Sequence, residues 1–98
     1  MQIETRENIQ GITVSVHGEI ELTTLKPFRQ RIFEILEASK GDMEIDCADL
    51  MYIDSSGIKV LLDMVKALKE QNRSLQLSNV SDKIYRVLEF STLRDIIV

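Results

Sequence analysis

Met43-Glu44-Ile45-Asp46-Cys47-Ala48 alternates apolar and polar residues; beyond Asp49-Leu50-Met51-Tyr52-Ile53 the chain passes through Asp54-Ser55-Ser56-Gly57 into Ile58, Leu61, Leu62, Val65 and Leu68. Period-two alternation marks a strand with one buried face, whereas apolar residues three and four apart mark a helix. The stretch therefore reads as strand, loop and helix, with the helix starting near Gly57. Lys66, Lys69 and Glu70 fall on the wetter side of that helix, and Asn72 lies near its stop. The strand's wet face decides the fold class. A sheet covered by helices on both sides would have nearly continuous apolar strands, so helices are expected on one face only.

The flanking sequence repeats this pattern. Ile12, Val14, Val16 and Ile20 alternate with Thr13, Ser15, His17 and Glu19, and Leu75 and Leu77 alternate with Ser74, Gln76 and Ser78. Residues 2 to 7 suit an edge strand joined to the next through Asn8 to Gly11, and Ile96 to Val98 suit a short terminal strand. Leu25, Phe28, Ile32, Ile35 and Leu36 predict a helix from about residue 24 to 39, with Thr23 or Thr24 as cap, Pro27 in the first turn and Gly41 beyond the end. A shorter helix follows Ser81 and buries Ile84, Val87 and Leu88. Helical connections between the later strands imply parallel pairing through right-handed crossovers. The expected fold is one small α/β domain over residues 1–98, with a mixed, mostly parallel sheet and helices packed on one face.

Ninety-eight residues are enough for one core, burying roughly 60 to 65% of the unfolded surface. With 44% hydrophobic and 29% charged residues, the composition is that of a soluble globular chain. The formal net charge of -4, without a basic cluster, disfavours nucleic acid or an anionic membrane surface as partner and favours a protein with a basic face. A single cysteine, Cys47, cannot form an internal disulfide, and one histidine with one cysteine makes no zinc-ligand set. The amino terminus lacks a secretory pattern, and no apolar run approaches the ~20 residues of a membrane span. A reducing, cytoplasmic setting without membrane insertion is expected.

Asp54-Ser55-Ser56-Gly57 carries the densest local chemistry, at a strand-to-helix turn where open parallel sheets present their sites. An Asp or Ser before an apolar helical stripe is commonly a cap. Two hydroxyls and a carboxylate exceed that need, and the surplus hydroxyl suits a phosphate acceptor. A phosphate would add about -1.5 to -2 charges at a helix start, which tolerates an anion, but beside Asp54, which opposes it. Modification could therefore spoil a docked partner's fit without rearranging the fold. Gly57 permits close approach or unusual backbone angles, or is simply an early helical residue.

Gly18-Glu19-Ile20-Glu21, Tyr52-Ile53-Asp54-Ser55-Ser56-Gly57-Ile58 and Val87-Leu88-Glu89-Phe90-Ser91 resemble, over essentially the whole chain, the sulfate-transporter and anti-sigma-antagonist (STAS) domains, specifically the bacterial anti-anti-sigma factors. The resemblance implies a phosphorylation-controlled binding module with neither catalytic residues nor a cofactor of its own. Its partner would be a serine kinase that doubles as an anti-sigma factor and carries ATP and magnesium, and a metal-dependent serine phosphatase would reverse the modification. By position it assigns Ser55 as the phosphorylated residue and Glu21, Asp54, Ser55, Ser56, Gly57 and Lys59 as the partner-facing set. Glu21 stands where an Asp is common, while Lys59 and Thr92 stand where Gly is usual. Lys59 is a cation one turn into the helix, available to a phosphate or to Asp54.

Two other uses of the fold remain open on the sequence: an adaptor in another partner-switching or sensory complex, and a constitutive transport-associated subunit in which Asp54 and Ser55 only cap. Ser56-x-x-Lys59 has the spacing of some acylating enzymes but lacks their companion segments. His17 reads as a solvated or partner-contact residue and Cys47 as core. Asp46, Asp49 and Asp54 lack the regular oxygen spacing of a calcium loop. Lys83, Arg86 and Arg94 read as the solvated side of the last helix and tail or as neighbours of the partner face, and Met51 and Tyr52 as loop packing, with Tyr52 suited to anchor an interface if exposed.

Overall fold

In the computed structural model, which describes Met1–Val98, the stretch from Ile12 to Val16, β-branched except at Ser15, forms the middle of the sheet. Strand β1 (Gln2–Glu7) pairs antiparallel with β2 (Gly11–Ile20) across a turn in which Asn8 Oδ1 accepts from the Gln10 and Gly11 amides, each at 2.9 Å. Helix α1 (Leu25–Ala38) leads to β3 (Asp42–Asp46), which lies parallel to the first half of β2. Strand β4 (Leu50–Ile53) lies parallel to the last residues of β2 and runs into α2 (Ser55–Glu70). Strand β5 (Leu75–Ser78) then adds parallel to β3, giving the order β1-β2-β3-β5 with β4 on the end of β2, and α3 (Asp82–Leu88) follows. The architecture is the expected small α/β domain, a mixed, mostly parallel sheet with its helices on one face.

The core lies between sheet and helices. Val14, Val16 and Ile20 from β2, Met43 and Ile45 from β3 and Leu75 and Leu77 from β5 meet Phe28, Ile32 and Leu36 of α1 and Met64 and Leu68 of α2. Cys47 belongs to this core as expected, and burial pushes its thiol up to about 12. No helix is long and apolar enough to cross a membrane.

Four details correct the sequence expectations. Where a loop was expected between Asp49 and Gly57, β4 forms and α2 begins at Ser55. Gly18 pairs with Leu50 and Glu19 with Tyr52, so Met51 is an extra residue on β4. This bulge resets the pleat, and Leu50 and Ile53 both turn inward although three residues apart. Second, α2 buries Gly57, Val60, Leu61, Met64 and Leu68, while Ile58, Leu62 and Val65 are only half-buried on its flank. Third, Val87 is exposed, because one turn of α3 seats only Ile84 and Leu88. Fourth, the terminal segment is a 3-10 turn, Thr92–Ile96, started by Ser91 Oγ accepting from the Leu93 amide at 3.1 Å. That turn buries Leu93 and leaves Ile97 as a single bridge to Leu77.

Candidate functional site

The ends of β2 and β4 are held side by side: Ile20 pairs with Ile53, and the Asp54 amide donates to the Ile20 carbonyl at 3.1 Å. Two loops therefore adjoin at the carboxyl ends of parallel strands, Glu21–Thr24 entering α1 and Asp54 entering α2. Gly57 makes the second entry possible. It is buried against the sheet, and a Cβ there would lie 2.7 Å from Ile20 Cγ2 and 2.8 Å from Ile53 Cγ1. Its part is to let the first turn of α2 lie on β2 and β4, beneath the exposed surface.

Asp54 joins the two loops. Its Oδ1 accepts from the Ser56 hydroxyl at 2.6 Å and from the Gly57 amide at 3.0 Å, and its Oδ2 accepts from the Leu22 amide at 3.2 Å. These donors, the Ser56 hydroxyl foremost and then the Gly57 amide, hold the carboxyl below its ordinary value of 3.8, so the turn carries a fixed negative charge. The cap expected from sequence is real, and its reach across to Leu22 adds a tie between α1's entry and α2's start.

The two serines are thereby distinguished. Ser56 is half-buried and turns its hydroxyl inward to Asp54. Ser55, the first residue of α2, is exposed, and its hydroxyl makes no hydrogen bond within the chain. One hydroxyl is structural; the other is free for chemistry or contact.

Glu21 is half-buried and folds back on its own loop, its Oε1 accepting from the Thr23 amide at 3.2 Å and from the Thr23 hydroxyl. Thr24 stands at the N-cap of α1, yet its hydroxyl braces the loop instead, donating to the Glu19 carbonyl at 2.8 Å and accepting from the Glu21 amide at 3.1 Å. Lys59 pairs with neither Asp54 nor Ser55: its Nζ lies 3.4 Å from Asp63 Oδ1, one turn further along α2. Asp63 also takes Arg29 Nη1 of α1 at 2.8 Å, and Arg29 in turn stacks over the Phe33 ring. The Arg29 hydrogen bond, more than Lys59, keeps the Asp63 carboxyl below its usual range.

Other residues singled out in the sequence do not converge on this turn. His17 Nδ1 lies 3.1 Å from Asp49 Oδ2, with Nε2 3.7 Å from Glu4 Oε1. Asp46 accepts from the Ala48 amide and the Asn79 side chain; with Asp49 at His17 and Asp54 capping α2, the three aspartates share no site. Met51 and Tyr52 are exposed, not packed, because the bulge turns them outward. Two contributors lay outside the sequence reading: Leu22, which is 75% exposed beside the Asp54 turn, and the Arg29–Asp63 clasp. The spacing of Lys59 and Asp63 is a visible i,i+4 signal, but Arg29 is 34 residues from Asp63 and joins only in the fold.

Comparison with known proteins follows the same outline. Residues 3–98 match the family model described as "Mlab, STAS domain". The anti-sigma-B factor antagonist of Bacillus subtilis is 30% identical over 97 residues, covering 99% of this chain and 88% of that protein. Among solved structures, the anti-sigma factor antagonist SpoIIAA in its unphosphorylated form superposes with a TM-score of 0.83 at 18% identity, covering 99% of this chain and 86% of that one. The phosphorylated form of the Bacillus cell fate determinant SpoIIAA gives 0.75 at 19% identity, covering 99% and 89%.

Proposed function

This chain belongs to the STAS domain family of anti-sigma factor antagonists, and from that premise we propose that it is a partner-switching module controlled by phosphorylation of Ser55. The STAS fold is a non-catalytic binding domain, so the chemistry belongs to the partner. The unmodified surface around Asp54, Ser55 and Leu22 docks on a serine kinase that also acts as an anti-sigma factor and holds ATP and magnesium. Transfer of the γ-phosphoryl group joins phosphorus to Ser55 Oγ, breaks its bond to the departing ADP oxygen and sends the hydroxyl proton to a base of the kinase. A metal-dependent serine phosphatase returns the hydroxyl by hydrolysis.

The observation that carries this reading is the division of labour between the serines: Ser55 Oγ is exposed and unengaged, while Ser56 Oγ is turned in to Asp54 at 2.6 Å. The relatives' names, anti-sigma-B factor antagonist and a SpoIIAA known in both phosphorylation states, support the class of partner and of switch. Physically, a phosphate on Ser55 is tolerated at the positive end of the α2 dipole, although Asp54 already takes the Gly57 amide of that turn. It also adds about -1.5 to -2 charges beside the anionic Asp54 and hydrates a surface that docking must dry, so the partner is released.

Incubation with ATP and the serine kinase encoded in the same genome, followed by intact mass and peptide sequencing, tests the assignment. Wild type and Ser56→Ala gain one phosphate on Ser55, and Ser55→Ala gains none. Phosphorylation of Ser55→Ala to the wild-type stoichiometry would move the switch to another residue.

A further inference from the structure

Lys59 is held loosely. Its side chain is 74% exposed, and its Nζ approaches the two Asp63 carboxylate oxygens only to 3.4 and 3.5 Å. On a helix a cation four residues ahead of an anion is the less favourable order, since the dipole prefers the anion toward the N-terminus. Asp63 does not depend on it, having Arg29 Nη1 at 2.8 Å. Four residues in the other direction is Ser55, on the same helical face and with its hydroxyl unengaged. The Cα–Cβ bond of a helical residue tilts toward the N-terminus, a direction that favours reach from position 59 back to position 55. Asp54, the anion that precedes Ser55 in the chain, already accepts three hydrogen bonds and has made no pair with Lys59.

We propose that Lys59 is the counter-ion of a phosphate on Ser55, leaving Asp63 to Arg29 when Ser55 is modified. The inference rests on Ser55 being the acceptor. A phosphoserine followed by lysine four residues later is the favourable order for both the side-chain pair and the helix dipole. The exchange trades a long contact to a carboxylate already paired with arginine for a contact to a group of about two negative charges. Lys59 thus offsets the repulsion from Asp54 and holds the phosphate against the first turn of α2, and it sets how much bare charge the modified face presents to a partner.

The test uses the full chain with phosphoserine installed at position 55 during translation and reads the phosphate by phosphorus NMR across pH at low salt. An ammonium counter-ion favours the doubly ionised phosphate. The ionisation midpoint of wild type is therefore expected about 0.3 of a pH unit below that of Lys59→Gln, the equivalent of one i,i+4 pair. Lys59→Arg keeps the wild-type midpoint, and Asp63→Asn, which frees Lys59 entirely, lowers it further. Coincident midpoints for wild type and Lys59→Gln, with folded circular dichroism spectra for both, would overturn the proposal. So would a Lys59→Arg protein that behaves like Lys59→Gln. Because the phosphate is installed without a kinase, this result is independent of whether a kinase chooses Ser55: equal midpoints remove the role of Lys59 alone, and an unmodified Ser55 in the kinase assay removes the acceptor alone.

Discussion

Gly57 decides how closely α2 approaches the sheet, and the whole Asp54 turn rests on that approach. A methyl group at this position would meet Ile20 Cγ2 at 2.7 Å and Ile53 Cγ1 at 2.8 Å, both on buried side chains with little room to yield. Gly57→Ala is therefore expected to destabilise the chain by about 1 to 3 kcal/mol in urea titrations, despite alanine's better helix propensity. Cys47 makes a second prediction at this scale. Its folded value is pushed up to about 12 against 9.0 ordinarily, so between those pH values the unfolded chain has lost a proton that the folded chain keeps. Stability then falls as pH rises, by about 1.4 kcal/mol per pH unit at most from this thiol, and the fall should be correspondingly shallower in Cys47→Ala. At this scale the sequence made the aspartate, both serines and the core cysteine legible as local chemistry. Which serine is committed was hidden, because the inward turn of Ser56 depends on an Asp54 carboxylate that also reaches Leu22, 32 residues away.

Elements were legible wherever their period was clean. β2, β3 and β5 alternate and were readable; β4 was not, since the extra residue Met51 breaks the alternation of a strand only four residues long. In α2 apolar residues cover both the buried line through Val60 and Met64 and the flank through Ile58 and Leu62, so pattern alone could not choose the centre of the face. Contacts between elements are also beyond a local pattern. Arg73, at the entry to β5, donates to the Leu36 carbonyl at 2.9 Å and to Ser39 Oγ at 2.8 Å, closing the C-terminus of α1. Arg73→Ala should destabilise by about 1 to 3 kcal/mol in urea titrations, with earlier hydrogen exchange at the end of α1. The Asp63–Arg29 clasp predicts a pH effect of opposite sense to that of Cys47. A carboxyl held below 3.8 contributes stability that is present above that pH and is lost as pH falls through the folded value. Acid unfolding of Asp63→Asn should therefore show a flatter dependence below about pH 3.8 than wild type.

For the whole molecule, the one-sided layering followed directly from the polar second face of each strand, where Ser15, His17, Glu44, Asp46, Gln76 and Ser78 alternate with the core. That layering brings two loops together at one end of the sheet, and the combination of a fixed charge at Asp54, a free hydroxyl at Ser55 and an exposed Leu22 exists only in the assembled fold. An acidic chain of net charge -4 suits a partner with a basic face, which makes association faster at low salt. One phosphate on Ser55 is expected to end that association. Titration calorimetry of the nucleotide-bound serine kinase with the unmodified chain and with the chain carrying phosphoserine at position 55 measures it directly: binding is predicted to weaken at least ~100-fold, about 3 kcal/mol, on modification, and equal affinities for the two forms would contradict it.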